Sequence, residues 1–277
     1  QAITNGSARV VFIGDIDQLP SVGPGMVLRS MVESGKIPVE RLNTVHRMKK
    51  GGILEFLHVI RNSSPHDVHV LEKVGLPSEP ELGSEMCFLD STGLAGNAVM
   101  KKTLDAVKKL LSSGYSVRDI QVLTPMKKGD SGVFALNREL QKLLNRSLEN
   151  TYQCYETISF GNKVTWAPGD RVMNTENDYD NDVFNGEIGF IISAGTETKS
   201  VEVVYPELEN RKVVYSRDRL DSIMHAYAST IHKSQGSEYR AAVVVMPDES
   251  AHMSERALIY TAISRAREKC VLIGSPE

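Results

Sequence analysis

Carboxylates that follow an apolar run at once are placed to hold a metal ion or a water molecule. Asp15 and Asp17 stand in that position, after residues 8–13, Ala-Arg-Val-Val-Phe-Ile. Gln18 follows them and can orient a water or accept from it. The plainer reading is a structural Asp turn. A second stretch, residues 226–238, reads AYASTIHKSQGSE. It carries hydroxyls at Ser229 and Thr230, then His232, Lys233, Ser234, Gln235, Gly236, Ser237 and Glu238, with Ile231 as its only large aliphatic. A core helix would show a broad apolar stripe here. Small and polar side chains with one lysine suit a helix end that faces a polyanion, where hydroxyls and backbone N–H groups meet phosphate. A solvated helix end stopped at Gly236 is the alternative. Thr124, Lys127 and Lys128 follow the apolar run 120–123, so they fall at the carboxyl end of a strand, where ligands sit in open α/β sheets. Two adjacent lysines can also serve solubility alone. Arg47, in Val45-His46-Arg47-Met48, reads by itself as a surface charge.

The totals bound these readings. With 41% hydrophobic and 24% charged residues over 277 positions, the chain can bury one large or two to three small cores. Net charge is −3, from 32 basic and 35 acidic residues. Any polyanion surface must therefore be local. Cys87, Cys154 and Cys270 are far apart and odd in number, so neither a disulfide framework nor a CxxC metal pair is suggested. A reducing cytoplasm is the simplest compartment. No apolar run has the length of a membrane span and no signal-peptide pattern is present.

The elements that must position these residues alternate. The sequence predicts strands at 8–13, 38–42, 86–89 and 120–123. It predicts helices at 26–33, 51–62, 95–111 and 133–144, the last with Leu136, Leu140 and Leu143 in step. Strands separated by helices imply a parallel sheet with right-handed crossovers. Residues 63–84, with Pro65, Pro77 and Pro80, read as a linker. From 155 to 215 the pattern changes to short runs of near period two, at 159–164, 171–175, 186–193, 200–204 and 211–215. Gly, Asn and Asp turns separate them, which fits a small β-barrel or half-open sheet inserted in the α/β unit. The α/β pattern resumes with 226–238 as a helix or helix end, a strand at 241–246, a helix at 256–267 and a strand at 269–273.

Taken in order, these pieces resemble the carboxyl-terminal half of superfamily-1 helicases, in the RecD/TraA-like branch that includes exodeoxyribonuclease V alpha subunits. Residues 14–20 (GDIDQLP) look like that family's motif III, 45–48 (VHRM) like motif IV, 230–238 like motif V and 260–268 (YTAISRARE) like motif VI. Residues 123–137 (LTPMKKGDSGVFALN) resemble a segment particular to the RecD-like branch. The resemblance implies an α/β fold. A RecA-like parallel-sheet domain, of the P-loop NTPase fold and second of two motor domains, would run over 86–150 and 222–277. An SH3-like β-barrel would be inserted at 151–221. The tail of a first RecA-like domain would occupy 1–62, joined by a linker at 63–85. No G-x-x-x-x-G-K-[ST] phosphate loop occurs in the sequence. The expectation is a piece of a longer protein that hydrolyses no ATP alone.

The resemblance also implies roles. Gln18 would contact the γ-phosphate or the attacking water, with Asp15 as support near the metal. Arg47 and Arg265 would be arginine fingers. Gly236 and Glu238 would lie at the nucleotide, Glu238 accepting from the ribose. Thr124, Thr230, His232 and Lys233 would contact single-stranded DNA. ATP and Mg²⁺ would be cofactors of the longer protein, with none bound to this piece. Partners would be single-stranded DNA and subunits of a recombination or repair nuclease, with no membrane. The work implied is 5′-to-3′ translocation and unwinding. Two alternatives stay open: a non-catalytic nucleic-acid-binding module, and an RNA-directed helicase of the same superfamily.

Overall fold

The computed structural model describes residues 10–20, 25–42, 52–63, 76, 78, 84–149, 154–253 and 255–276. Its centre is a five-stranded parallel sheet, built from runs apolar enough to be covered on both faces. The strands are β1 (Met86–Asp90), β2 (Ile120–Thr124), β10 (Ala228–Thr230), β11 (Tyr239–Met246) and β12 (Ala266–Gly274), in the order β1-β12-β11-β2-β10. All five residues of β2 are buried.

One face is covered by α3 (Gly96–Ser112) and α4 (Val133–Leu144). Val99, Val107 and Leu110 of α3 and Leu136 and Leu140 of α4 recur at helical spacing and share a core with Val122, Val243 and Val271. The other face is covered by α2 (Gly52–Asn62) and α5 (Arg256–Ile263). Ile53, Phe56, Leu57 and Ile60 of α2 pack there with Leu258, Ala262 and Ile263 of α5. The short helix α1 (Val27–Glu33) has no buried residue.

Between α4 and β10 the chain forms two antiparallel ladders. One is the hairpin β3 (Tyr155–Ser159) and β4 (Asn162–Trp166). The other contains β5 (Arg171–Asn174), β6 (Ile188–Gly195), β7 (Ser200–Tyr205), β8 (Arg211–Ser216) and β9 (Ile223–His225), ordered β8-β7-β6-β5-β9. Tyr155 and Trp166 of the hairpin join Val172, Ile191, Val203, Tyr205 and Tyr215 in one core. No ladder among the described residues closes the set into a barrel, so the half-open form of the expectation is the one present.

Several expectations need correction. Residues 10–13 are not a buried strand: they pair with no sheet, and Val11 and Ile13 are 79% and 92% exposed. Residues 38–42 likewise form no strand. An apolar run becomes a buried strand only when neighbours cover its edges and faces, and no described element does so here. The run 159–164 is not one strand but the turn of the β3–β4 hairpin. Phe160 and Gly161 both have left-handed φ, 50° and 74°, as a tight hairpin turn needs. The helix expected over 256–267 stops at Ile263, because β12 already begins at Ala266. Residues 226–238 are not a helix end. They are the edge strand β10 followed by a 3-10 turn, His232–Ser234.

Candidate nucleotide and single-strand site

The register of the sheet separates the candidate residues into two groups. Gly236, Ser237 and Glu238 precede β11, Arg265 precedes β12, and Tyr239 pairs with Ala266. These residues lie at the amino ends of neighbouring strands. Thr124 and Thr230 pair with each other at the carboxyl ends of β2 and β10.

At the amino ends, Arg265 is almost fully buried, at 3% exposure. Its Nε donates to the Thr261 carbonyl (3.1 Å) and its Nη1 to the Ser237 carbonyl (3.1 Å). Its Nη2 donates to Gln18 Oε1 (3.0 Å) and Ser264 Oγ (2.9 Å). Arg265 follows the carboxyl end of α5, four residues beyond Thr261, and its guanidinium folds back onto the last turn of that helix. These four acceptors are neutral oxygens, and together they fix the plane of the fork.

The structure thus joins Gln18 and Arg265, two residues 247 positions apart. Gln18 Nε2 donates to Asp15 Oδ2 (3.0 Å), and Asp15 Oδ1 accepts from the Asp17 N–H (3.0 Å). Asp17 Oδ2 pairs with Arg61 Nε of α2 (2.9 Å). Burial, reinforced by the Asp15 and Asp17 carboxylates, pushes the Tyr260 phenol up from its ordinary value. Gly236 has φ +83°, the left-handed conformation that glycine adopts without strain. Glu238 is exposed, with Arg267 Nε 3.8 Å from its carboxylate. Arg47 lies outside the described residues, as does the rest of 45–48.

At the carboxyl ends, the Thr124 side chain turns inward. It is fully buried, its hydroxyl donates to the Ser131 carbonyl (3.2 Å), and it accepts from the Met126 N–H (3.4 Å). A buried hydroxyl with both roles taken orders the 125–132 loop. Thr230 is 7% exposed and its Oγ1 accepts from the Lys233 N–H (3.3 Å). His232, Lys127 and Lys128 are exposed. Lys233 is held below the usual lysine range, first by burial and then by the neighbouring Lys127 charge. Like charges brought together in this way repel until an anion lies between them. In a pH titration followed at isotope-labelled lysine Cε methylenes, Lys233 is expected to lose its proton before the other lysines. A Lys127→Ala change should move it back up; coincident titration of all lysines would remove the cluster.

The residues missed from the sequence are Arg61, Tyr260 and Thr261. Thr261 carried a readable signal, since it stands one helical turn before Arg265. Arg61 meets Asp17 only through tertiary packing, which leaves no local signature. Trp166, the sole tryptophan, is 1% exposed and belongs to a core. Tyr179 is 73% exposed.

Among the described residues no cluster of His, Cys, Asp or Glu could hold a metal ion. The groups present fit one wall of a triphosphate site, a fixed guanidinium beside an amide. The lysine and hydroxyl of a phosphate loop are absent from this sequence.

Three family models match the chain. Residues 1–76 match an AAA domain, 136–205 the SH3 domain of ATP-dependent RecD-like DNA helicases, and 225–273 a UvrD-like helicase C-terminal domain. The ATP-dependent RecD2 DNA helicase of Deinococcus radiodurans is 30% identical over 97% of this chain and 33% of its own length. The RecBCD enzyme subunit RecD of Mycobacterium tuberculosis is 29% identical over 97% of this chain and 45% of its own length. The chain therefore spans a third to under half of these relatives. A crystal structure of Bacteroides Pif1 bound to ssDNA superposes with a TM-score of 0.56, at 17% identity, over 96% of this chain and 62% of that one, a likeness of fold. Motif order, sheet topology and these matches converge: the chain belongs to the RecD-like branch of the superfamily-1 helicases, whose carboxyl-terminal region it matches.

Proposed function

We propose that this chain forms one wall of the ATP site, together with part of the single-strand track, of a 5′-to-3′ DNA helicase that acts in recombination or repair. The observation that carries this reading is the buried Arg265 guanidinium bonded to the Gln18 side chain. Bound ATP and Mg²⁺ supply the phosphoryl group and the driving force. Arg265 offsets charge on the phosphoryl oxygens as it develops, and Gln18 positions the attacking water. Asp15 supports Gln18, and Arg47 is the second finger. Gly236 gives the backbone its turn beside the nucleotide, and Glu238 takes the ribose. Thr230, His232 and Lys233 hold backbone phosphates of single-stranded DNA, with Lys127 adding charge. The proposed division is a first motor tail at 1–62, a linker at 63–85, a second motor unit at 86–150 and 222–277, and an SH3-like insert at 151–221. The cytoplasm, with other nuclease subunits as partners, is the setting that fits the named relatives. Among the described residues no helix is long and apolar enough to cross a membrane.

The test compares two proteins. The protein expressed from its complete reading frame should hydrolyse ATP faster with single-stranded DNA and unwind a duplex with a 5′ tail. The 277-residue chain should bind oligo-dT, with log affinity falling linearly against log salt, and should hydrolyse no ATP. DNA binding without ATP turnover in both proteins would favour a non-catalytic binding module. A preference for RNA duplexes would favour the RNA-directed reading.

A further inference from the structure

Residues 231–238 leave the carboxyl end of β10 and reach the amino end of β11 across the face of the sheet covered by α2 and α5. Ile231 is fully buried in that core. Ser234 is also fully buried; its N–H and Oγ both bond to the Ile231 carbonyl, at 3.1 and 2.7 Å. The Gln235 N–H bonds to the His232 carbonyl (3.3 Å) and the Ser237 N–H to the Ser234 carbonyl (3.0 Å). Successive turns of this kind make the segment one stiff piece.

Its two sides meet different things. His232 is exposed on one side, with Lys233 beside Lys127. On the other side, Gln235 Nε2 donates to the Leu19 carbonyl (2.9 Å). The Leu19 N–H, in turn, donates to Thr261 Oγ1 on α5 (2.8 Å). Both main-chain groups of Leu19 are thus held by side chains, one from the 231–238 segment and one from α5, the helix that ends just before Arg265. Leu19 itself packs against the core, and its neighbour Gln18 accepts from Arg265.

We infer that Gln235 is a positioning residue that couples occupancy of the His232–Lys233 turn to the placement of Gln18. A strand on the turn shifts a stiff segment, and Gln235 passes that shift to the Leu19 carbonyl, adjacent to Gln18. Thr261 anchors the other side of the same residue, so the shift is delivered against a fixed point. Gln235 touches neither reacting group; it acts through Leu19 and Gln18. The inference rests on the functional reading above.

The experiment uses the protein from its complete reading frame, as wild type, Gln235→Ala and Gln235→Glu. The glutamate keeps the shape but loses the amide donor. Both variants should keep basal ATPase and oligo-dT affinity within about twofold of wild type, while DNA stimulation of kcat falls about tenfold. Stimulation that survives in both variants would overturn the inference. So would a parallel loss of basal turnover, DNA affinity and stimulation, which a merely structural role would give. A wild type without any DNA-stimulated ATPase would instead overturn the functional reading, and the inference with it. Hydrogen exchange without nucleotide supplies a second readout. Oligo-dT should change exchange across residues 15–20 in wild type and leave it unchanged in Gln235→Ala; equal responses in both would refute the coupling.

Discussion

Replacing Arg265 by alanine, in the protein expressed from its complete reading frame, is expected to lower kcat for ATP hydrolysis by about 10³- to 10⁵-fold. That range corresponds to about 4–7 kcal/mol of transition-state stabilisation. The guanidinium is held by the carbonyls of Thr261 and Ser237 and by Gln18 and Ser264, so it is organised before the phosphoryl group arrives. Preset charge of this sort costs no rearrangement during the reaction. The same burial predicts a stability loss, since two carbonyls would lose their donor, and urea unfolding separates that loss from catalysis. Arg265→Lys should fall between alanine and wild type, because it keeps the charge but not the planar fork. A steady-state loss below about tenfold in a well-folded Arg265→Ala protein would remove Arg265 from the catalytic set.

Asp170→Ala is expected to destabilise the folded chain by about 3–5 kcal/mol, since several buried donors lose one shared acceptor at about 1–3 kcal/mol each. Asp170 is fully buried. Its Oδ1 accepts from Asn145 Nδ2 (2.7 Å) and the Tyr227 hydroxyl (3.0 Å). Its Oδ2 accepts from Gln141 Nε2 (2.7 Å) and the Ala167 N–H (2.8 Å), and lies 3.1 Å from His225 Nε2. Removing the carboxylate strands several buried donors at once, each of which costs free energy when unpaired. Asp170→Asn keeps the volume and one acceptor and should cost less. Trp166 is the sole tryptophan and lies 4.8 Å from the His225 ring, so its fluorescence reports unfolding where the change is made. A urea midpoint shifted by less than the equivalent of about 1 kcal/mol would show that water replaces the carboxylate at little cost.

How much was legible depended on which force set each element. The helix over 133–144 was predicted to the residue, because Leu136, Leu140 and Leu143 at helical spacing fix one buried face. The strands 171–175, 200–204 and 211–215 were placed within a residue or so by alternation and turns. Residues 228–230 are small and hydroxylic, so periodicity is silent there. Pairing with Val122, Leu123 and Thr124 makes them a strand, and that pairing crosses more than a hundred residues. Partners 25 to 57 residues away likewise hid Asp170, which reads as an ordinary turn after Pro168 and Gly169. Gln18 and Arg265 were found together through motif order, whereas the burial of Thr124 left no trace, because a strand-end hydroxyl looks alike in sequence whether it faces solvent or closes a loop.

The two strands β9 and β10 follow each other directly but belong to different sheets, and Tyr227 between them shares the Asp170 carboxylate with Asn145 at the end of α4. The chain thus departs for its antiparallel excursion and returns within one hydrogen-bonded knot. Because the two stumps are already pinned together, lengthening or trimming the outer loops adds little loop-closure entropy to the parent sheet. Such a graft can change size or binding face over evolution while the sheet that carries it keeps its register.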